Sequence, residues 1–258
     1  MSQSTIRSEI SPRGVATVVL SRPEQLNAFN QQMLGEMAAL LPALAADPSV
    51  RVLVLRGAGR HFSSGADMAR PAGGEAEVKH TGFVDIFVAL ETFPKPTIAV
   101  VQGACVGGAA AVAACCDLVL ATDAAVFSIP EVRIGVAPIG VTPVLVRAMG
   151  LKRYRRLALS GERIAAAEAV RNGLAHEVCG ADAIEAVLDA RVDAFLHGAP
   201  GAMADLKAHL QLAYPAMLDE LKAAKAHHAR VDTFKSPEAL EGVAAFKAKR
   251  KPSWYPPQ

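Results

Sequence analysis

The chain has 258 residues, 52% of them hydrophobic and 20% charged, with a mean hydropathy of +0.25. That composition excludes a disordered or low-complexity polypeptide, which would bury too little apolar surface to offset chain entropy. The length fits one large domain or a domain with a helical appendage. Basic and acidic residues nearly balance at 27 against 25, with 11 against 12 in the first 150 residues, so the charge is not that of a nucleic-acid or membrane-surface protein.

In chain order, residues 8–22 read as a hairpin, with β-branched runs on both sides of Pro12-Arg13-Gly14. A loop from Arg22 to Phe29 precedes a helix in which Met33, Leu34, Met37, Leu40, Leu41 and Leu44 recur at helical spacing. Asn30 is its candidate N-cap, and Pro42 is expected to kink it or mark its early end. Val50 to Leu55 is a continuous apolar strand, suited to a sheet covered on both faces. After it come a glycine-rich loop from Gly57 to Gly74 and an amphipathic helix from Gly82 to Phe93, stopped by Pro94-Lys95-Pro96.

The stretch from Ile98 to Cys116 has Gln102 as its one strongly polar residue and carries a GxxxG at Gly103 and Gly107. It is rich in Ala, Gly and Val, and it divides into an IAVV strand, a turn at Gly103 and an Ala-rich helix. Buried strand plus buried helix is therefore preferred to a membrane span. Leu118 to Ala121 and Val126 to Ile129 read as short strands, and after Gly140 strands nearly stop and helical patterns dominate to Lys249. The expected fold class is α/β with largely parallel pairing. Residues 1–198 form the core with the active site, and 199–258 a helical C-terminal region.

Cys105, Cys115, Cys116 and Cys179 form neither a disulfide framework nor a zinc pattern. The opening MSQSTIRSEI has no apolar signal region, so a reducing cytoplasm is the expected setting. A Walker-type phosphate loop, a G-x-S-x-G elbow and a well-spaced dinucleotide fingerprint are all missing from the sequence. Adjacent His227 and His228 cannot share a helix face, so no metal site is expected.

Two glycine-rich loops remain, Gly57 to Met68 after one buried strand and Gly103 to Ala111 after another, the second opening a helix. Small residues there let a ligand approach main-chain N–H groups, and a helix N-terminus adds unpaired donors. Converging, the loops would make an anion-stabilising hole; taken singly, each reads equally well as a tight turn.

The runs FSSGADM, GACVGGAAAVAACCD, SIPEVRIG and EGVAAFKAKRKPSW, with SRPEQLNAFN near the start, resemble the crotonase (enoyl-CoA hydratase/isomerase) family in order and spacing. The resemblance implies a spiral of strand-strand-helix units and a helical C-terminal trimerisation region. It also implies acyl-CoA thioester substrates and a homotrimer or homohexamer, with no nucleic-acid or membrane partner. Coenzyme A enters as part of the substrate, and no separate cofactor or metal is expected.

By that resemblance the backbone N–H groups of Ala66 and Gly108 are the oxyanion donors. Ser64, Ala66, Asp67, Met68, Ala69 and Gly108 belong to the coenzyme A site, and Phe246 and Lys249 contact the coenzyme, often from a neighbouring subunit. Asp67 reads equally well as a cap of its own loop, and Lys249 as one of several solvated lysines. Of the two glutamates typical of family hydratases, the first position is Ala111, which cannot transfer a proton, and the second is Glu131. Glu131 lies between apolar residues, where burial raises a carboxyl pKa; a simple ion pair with Arg133 is the alternative. The closest pattern is that of bacterial hydratases lacking the first glutamate. The reading favoured is hydration of a 2-enoyl-CoA. The alternatives are double-bond isomerisation with Glu131 as sole acid and base, and a noncatalytic acyl-CoA-binding member. The acyl pocket is expected between Ala72 and Phe87 and around Ile139.

Overall fold

The computed structural model describes residues 4–68, 82–213, 216–230 and 235–255. The hairpin forms as expected, β1 (Ile6–Ile10) pairing antiparallel with β2 (Val15–Leu20). Helix α1 (Gln31–Ala46) buries Met33, Leu34, Met37, Leu41 and Leu44, and the side chain of Asn30 accepts from Met33 N at 2.9 Å. Pro42 does not end it: the helix continues for four more residues. The proline ring is exposed, and the helix runs on past the one backbone donor it lacks.

The buried strand is β3 (Val52–Gly57), followed by α2 (Phe83–Glu91), β4 (Thr97–Val101), β5 (Ala104–Val106) and α3 (Gly108–Ala114). Next come β6 (Leu118–Thr122), β7 (Val126–Ser128), α4 (Thr142–Met149), α5 (Leu151–Ser160), β8 (Arg163–Ala165), α6 (Ala166–Asn172) and β9 (Glu177–Cys179). Four helices complete the chain: α7 (Ile184–Leu196), α8 (Pro200–Ala213), α9 (Ala216–Arg230) and α10 (Pro237–Lys247).

The larger sheet has the order β1-β2-β3-β4-β6-β9 and is parallel from β2 onward. A smaller sheet, β5-β7-β8, sits beside it, with β5 and β7 parallel. This is the expected α/β class. Three strands escape the sequence reading, β5, β8 and β9; each is three residues long, too short for a two-residue period, and β5 and β8 run almost directly into helices, unlike the equally short β7, which the sequence reading catches.

Helices α1, α2, α3 and α4 cover one face of the larger sheet, where they share a core with Leu53, Leu55, Ala99 and Val101. Helix α7 covers the other face, joining Ile184 and Val192 to Val52, Val54, Ile98, Val100 and Leu120. β3 and β4 are thus buried on both sides, which explains their uninterrupted apolar sequences. Leu221 of α9 is fully buried in the main core, so the helical tail leans on the core it follows. No described helix is long and apolar enough to cross a membrane.

Gly35 lies in the middle of α1, and a methyl group added there meets nothing within 4 Å. Gly35→Ala is therefore expected to raise stability by about 0.5–1 kcal/mol, by removing unfolded-chain freedom at no steric cost. Urea unfolding would show this as a higher midpoint with an unchanged slope.

Candidate active site

Strands β3 and β4 run parallel and end side by side, so the two glycine-rich loops leave the sheet at the same edge. The chain after β3 is stitched to the chain after β4 by main-chain bonds. Phe62 N donates to Gln102 O at 2.7 Å, Ser63 N to Ala104 O at 2.9 Å, and Val106 N to Ser63 O at 3.1 Å. His61 joins them, its Nδ1 accepting from Ala104 N at 3.0 Å. On its other side the first loop pairs with Phe29: Phe29 N donates to Gly65 O at 2.8 Å, and Asp67 N to Phe29 O at 3.0 Å.

These bonds set the direction of both candidate donors. The peptide joining Gly65 to Ala66 is trans, so its N–H points opposite to its carbonyl. With that carbonyl held by Phe29, the N–H of Ala66 is turned away from Phe29. The same holds for the peptide joining Gly107 to Gly108, whose carbonyl accepts from Ala110 N and Ala111 N inside the first turn of α3. The N–H of Gly108 therefore points out of the helix at its N-terminal end, where backbone donors are unpaired. Among the described residues, neither N–H donates to another backbone group. The two loops touch: a Cβ added at Gly65 would stand 2.6 Å from Val106 O and 3.7 Å from Gly108 N.

Glu131 sits in a 3-10 turn, Glu131–Ile134, that follows β7. β7 is hydrogen-bonded to β5, and Ser128 O accepts from Gly107 N at 2.8 Å, which brings the turn against the second loop. Oε1 of Glu131 lies so close to Gly107 that an added Cβ would stand 2.5 Å from it. Gly107 also has φ +57, a conformation that residues with a side chain seldom adopt. Among the described residues, Oε2 is buried with no hydrogen-bond partner. Burial pushes the carboxyl up to about 7. Arg133, the alternative partner, instead donates from Nε to Ser160 O at 2.9 Å.

The structure thus brings Ala66, Gly108 and Glu131 to the same loop cluster. Ser64 is in the first loop, its N–H bonded to Leu26 O at 3.0 Å, and Asp67 Oδ2 lies 2.8 Å from Arg22 Nη1. Met68 is half-buried at the end of the described part of that loop, and Ala69 lies outside the described residues. Phe246 is 61% exposed near the end of α10, and Lys249 is exposed just beyond it. Their helix packs on the Glu131 turn at its other end, where the backbone at Gly242 meets Ile134.

Of the expected acyl pocket, residues 72–81 lie outside the described residues. Phe83 stands with its ring edge against Gly108, 5.0 Å from the ring of Phe29. Phe87 is fully buried and belongs to the core rather than to a pocket wall, while Ile139 is half-buried. Ala111 is also fully buried. Sequence reasoning missed the Tyr154–Thr142 hydroxyl pair. Burial, and then the charge of Glu131, raise the pKa of that phenol. Nothing local marks Tyr154, whose neighbours in sequence are arginines.

Cys105, Cys115 and Cys116 are buried free thiols with raised pKa values, burial being the main cause. Among the described residues no group of three His, Cys, Asp or Glu side chains is placed to hold a metal ion.

A family model described as enoyl-CoA hydratase/isomerase matches residues 11–257. A putative enoyl-CoA hydratase of Thermus thermophilus is 34% identical over 244 residues, covering 92% of this chain and 96% of that protein. The crystal structure of an enoyl-CoA hydratase from Mycobacterium avium subsp. paratuberculosis superposes with a TM-score of 0.85 at 32% identity, covering 98% of this chain and 99% of the other. A methylmalonyl-CoA decarboxylase in complex with 2-nitronate-propionyl-CoA superposes with a TM-score of 0.83 at 25% identity, covering 98% and 99%. With a family match over almost its whole length and relatives alike from end to end, the chain belongs to the enoyl-CoA hydratase/isomerase, or crotonase, family.

Proposed function

We propose that the chain hydrates a 2-enoyl-CoA thioester, with the N–H groups of Ala66 and Gly108 holding the thioester oxygen and Glu131 moving the proton. The observation that carries this reading is the buried Oε2 of Glu131, without a hydrogen-bond partner among the described residues and poised near neutral pH, beside a loop pair whose two candidate donors bond to no described backbone group. Adding water across a conjugated double bond moves negative charge onto the carbonyl oxygen. Fixed donors aimed at that oxygen are worth on the order of 3 kcal/mol each in comparable sites.

In the proposed step the carboxylate of Glu131 takes a proton from water as the water oxygen bonds to the β-carbon. The π electrons shift to the thioester oxygen. The enolate then collapses, and the α-carbon takes the same proton back from Glu131. Ser64, Asp67, Met68 and Ala69 are proposed to border the coenzyme, with Phe246 and Lys249 reaching it from a neighbouring subunit of a homotrimer or homohexamer. Exposed Leu206, Leu210 and Phe246 in the C-terminal helices support such an assembly. A cytoplasmic setting completes the proposal.

A second reading, double-bond isomerisation, is favoured by one observation. Position 111 is alanine, so one carboxylate must do all the proton work, which removing a proton at one carbon and returning it at another requires. The names of the relatives support hydration. Incubating the protein with 2-enoyl- and 3-enoyl-CoA thioesters in heavy-oxygen water separates the two. Label in the product is the expected outcome; a shifted double bond without label selects isomerisation.

Either reaction begins from ionised Glu131. kcat/KM is therefore expected to fall about tenfold per pH unit below pH 7 and to level off above it. A profile flat down to pH 5 would remove Glu131 from the proton step.

The same group should shape stability. Its folded pKa of about 7 stands above the ordinary glutamate value of 4.5, so between these values the unfolded chain has released the proton and the folded chain has not. Stability then falls as pH rises from 4.5 to 7, by on the order of 3 kcal/mol, and the cost persists above pH 7. Glu131→Gln removes the ionisation. It should abolish turnover, keep coenzyme A affinity, and be more stable relative to the native chain at pH 8 than at pH 4, as thermal unfolding at the two pH values would show.

A further inference from the structure

The SRPEQLNAFN run is joined to the site by a dense set of bonds, although no residue in it faces the reacting atoms in the proposed mechanism. Asn27 is fully buried with φ +53, a left-handed conformation that asparagine tolerates better than most residues. All of its side-chain polar atoms are used. Oδ1 accepts from Arg22 N at 2.9 Å, and Nδ2 donates to Ala58 O at 2.9 Å and to His61 O at 2.8 Å. Leu26 O holds Ser64 N, and Phe29 holds both Gly65 O and Asp67 N. Arg22 closes the set: its Nη1 donates to Ala28 O at 2.6 Å and to Asp67 Oδ2 at 2.8 Å, with both side chains about five-sixths buried.

The residues held in this way lie on both sides of Ala66. Gly65 is fixed through its carbonyl, and Asp67 through its N–H and its carboxylate. The peptide between Gly65 and Ala66 therefore has little freedom to rotate, and its N–H direction follows from the clamp. We propose that Arg22 is a positioning residue for the first oxyanion donor, acting through Asp67 to fix the plane of the Gly65–Ala66 peptide. This rests on the thioester-enolate reading above and adds to it a role for Asp67 other than contact with the coenzyme.

The test uses Arg22→Met, which removes the cation, Arg22→Lys, which keeps it, and Asp67→Asn, which weakens the pair but leaves the Arg22 to Ala28 bond in place. The full chain is used throughout. Two readouts are needed: steady-state kinetics with the accepted enoyl-CoA, and the infrared carbonyl stretch of bound carbon-13-labelled butyryl-CoA. The second reports polarisation at the hole without turnover. Arg22→Met and Asp67→Asn should lower kcat roughly ten- to a hundredfold, the scale of a misplaced reacting group, with KM and the affinity for coenzyme A within about threefold. Both should lose most of the carbonyl shift seen in the native protein, and Arg22→Lys should recover most of it. Combining Arg22→Met with Asp67→Asn should add little to either alone.

A full carbonyl shift and unchanged kcat in Arg22→Met would overturn the proposal. So would a weakened coenzyme A affinity with an intact shift in Asp67→Asn, which would assign the pair to coenzyme binding. If the native protein bound butyryl-CoA with no shift at all, the enolate reading itself would fall, and the positioning role with it.

Discussion

The site depends on the rigidity of two peptide planes. A main-chain N–H cannot be swung on a flexible side chain; its direction is that of its peptide, and the peptide is fixed by whatever holds the carbonyl on its other side. Here Phe29 holds one carbonyl and the first turn of α3 holds the other. The donor pair is thus a by-product of ordinary structural bonds between β3, β4 and the elements around them. Preorganisation of this kind leaves no reorganisation to be done as charge develops on a bound oxygen.

That arrangement restricts what can surround it. Gly107 must leave room for a carboxylate oxygen and must adopt a backbone angle hostile to side chains. Glu131 is held in an apolar setting with one oxygen lacking a partner. An unsatisfied buried polar atom is expensive, and where one persists in a folded protein it calls for a reason. In the proposed reaction, readiness to accept a proton at neutral pH is such a reason, and the stability it removes is supplied by a large aliphatic core on both faces of the sheet. Helix α1, with Pro42 inside it, shows the same tolerance on a smaller scale, since the fold carries one missing helical bond there.

Much of the fold was legible before any coordinates. The hairpin, the N-cap at Asn30, the doubly covered strand and the division of Ile98 to Cys116 into strand and helix all followed from local pattern. The miniature strands β5, β8 and β9 were missed because three residues carry no period, and β5 and β8 merge into the helices that follow them, whereas the equally short β7 was read. Of the two outcomes expected of Pro42, a kink or an early end, the early end did not occur: α1 runs four residues past it. At the site, Ala66, Gly108 and Glu131 were named through family resemblance, but their orientation was not readable. It depends on Phe29, Ser63, Ser128 and Arg22, partners brought together by sheet order rather than by sequence distance. Asn27 and Tyr154 show the same limit: each looks like a common loop or helix residue until its long-range bonds are known.

Ala111 has a consequence of a different kind. It is sealed within a helix whose seven residues are all buried, among them Ala110, Val112 and Ala113. A glutamate in its place would force a charge and four extra heavy atoms into occupied space, and neither crowding nor desolvation is small in a packed interior. A two-glutamate site built at this position therefore requires several neighbours to shrink first. A laboratory lineage selected for a second acid would be expected to find it on another element.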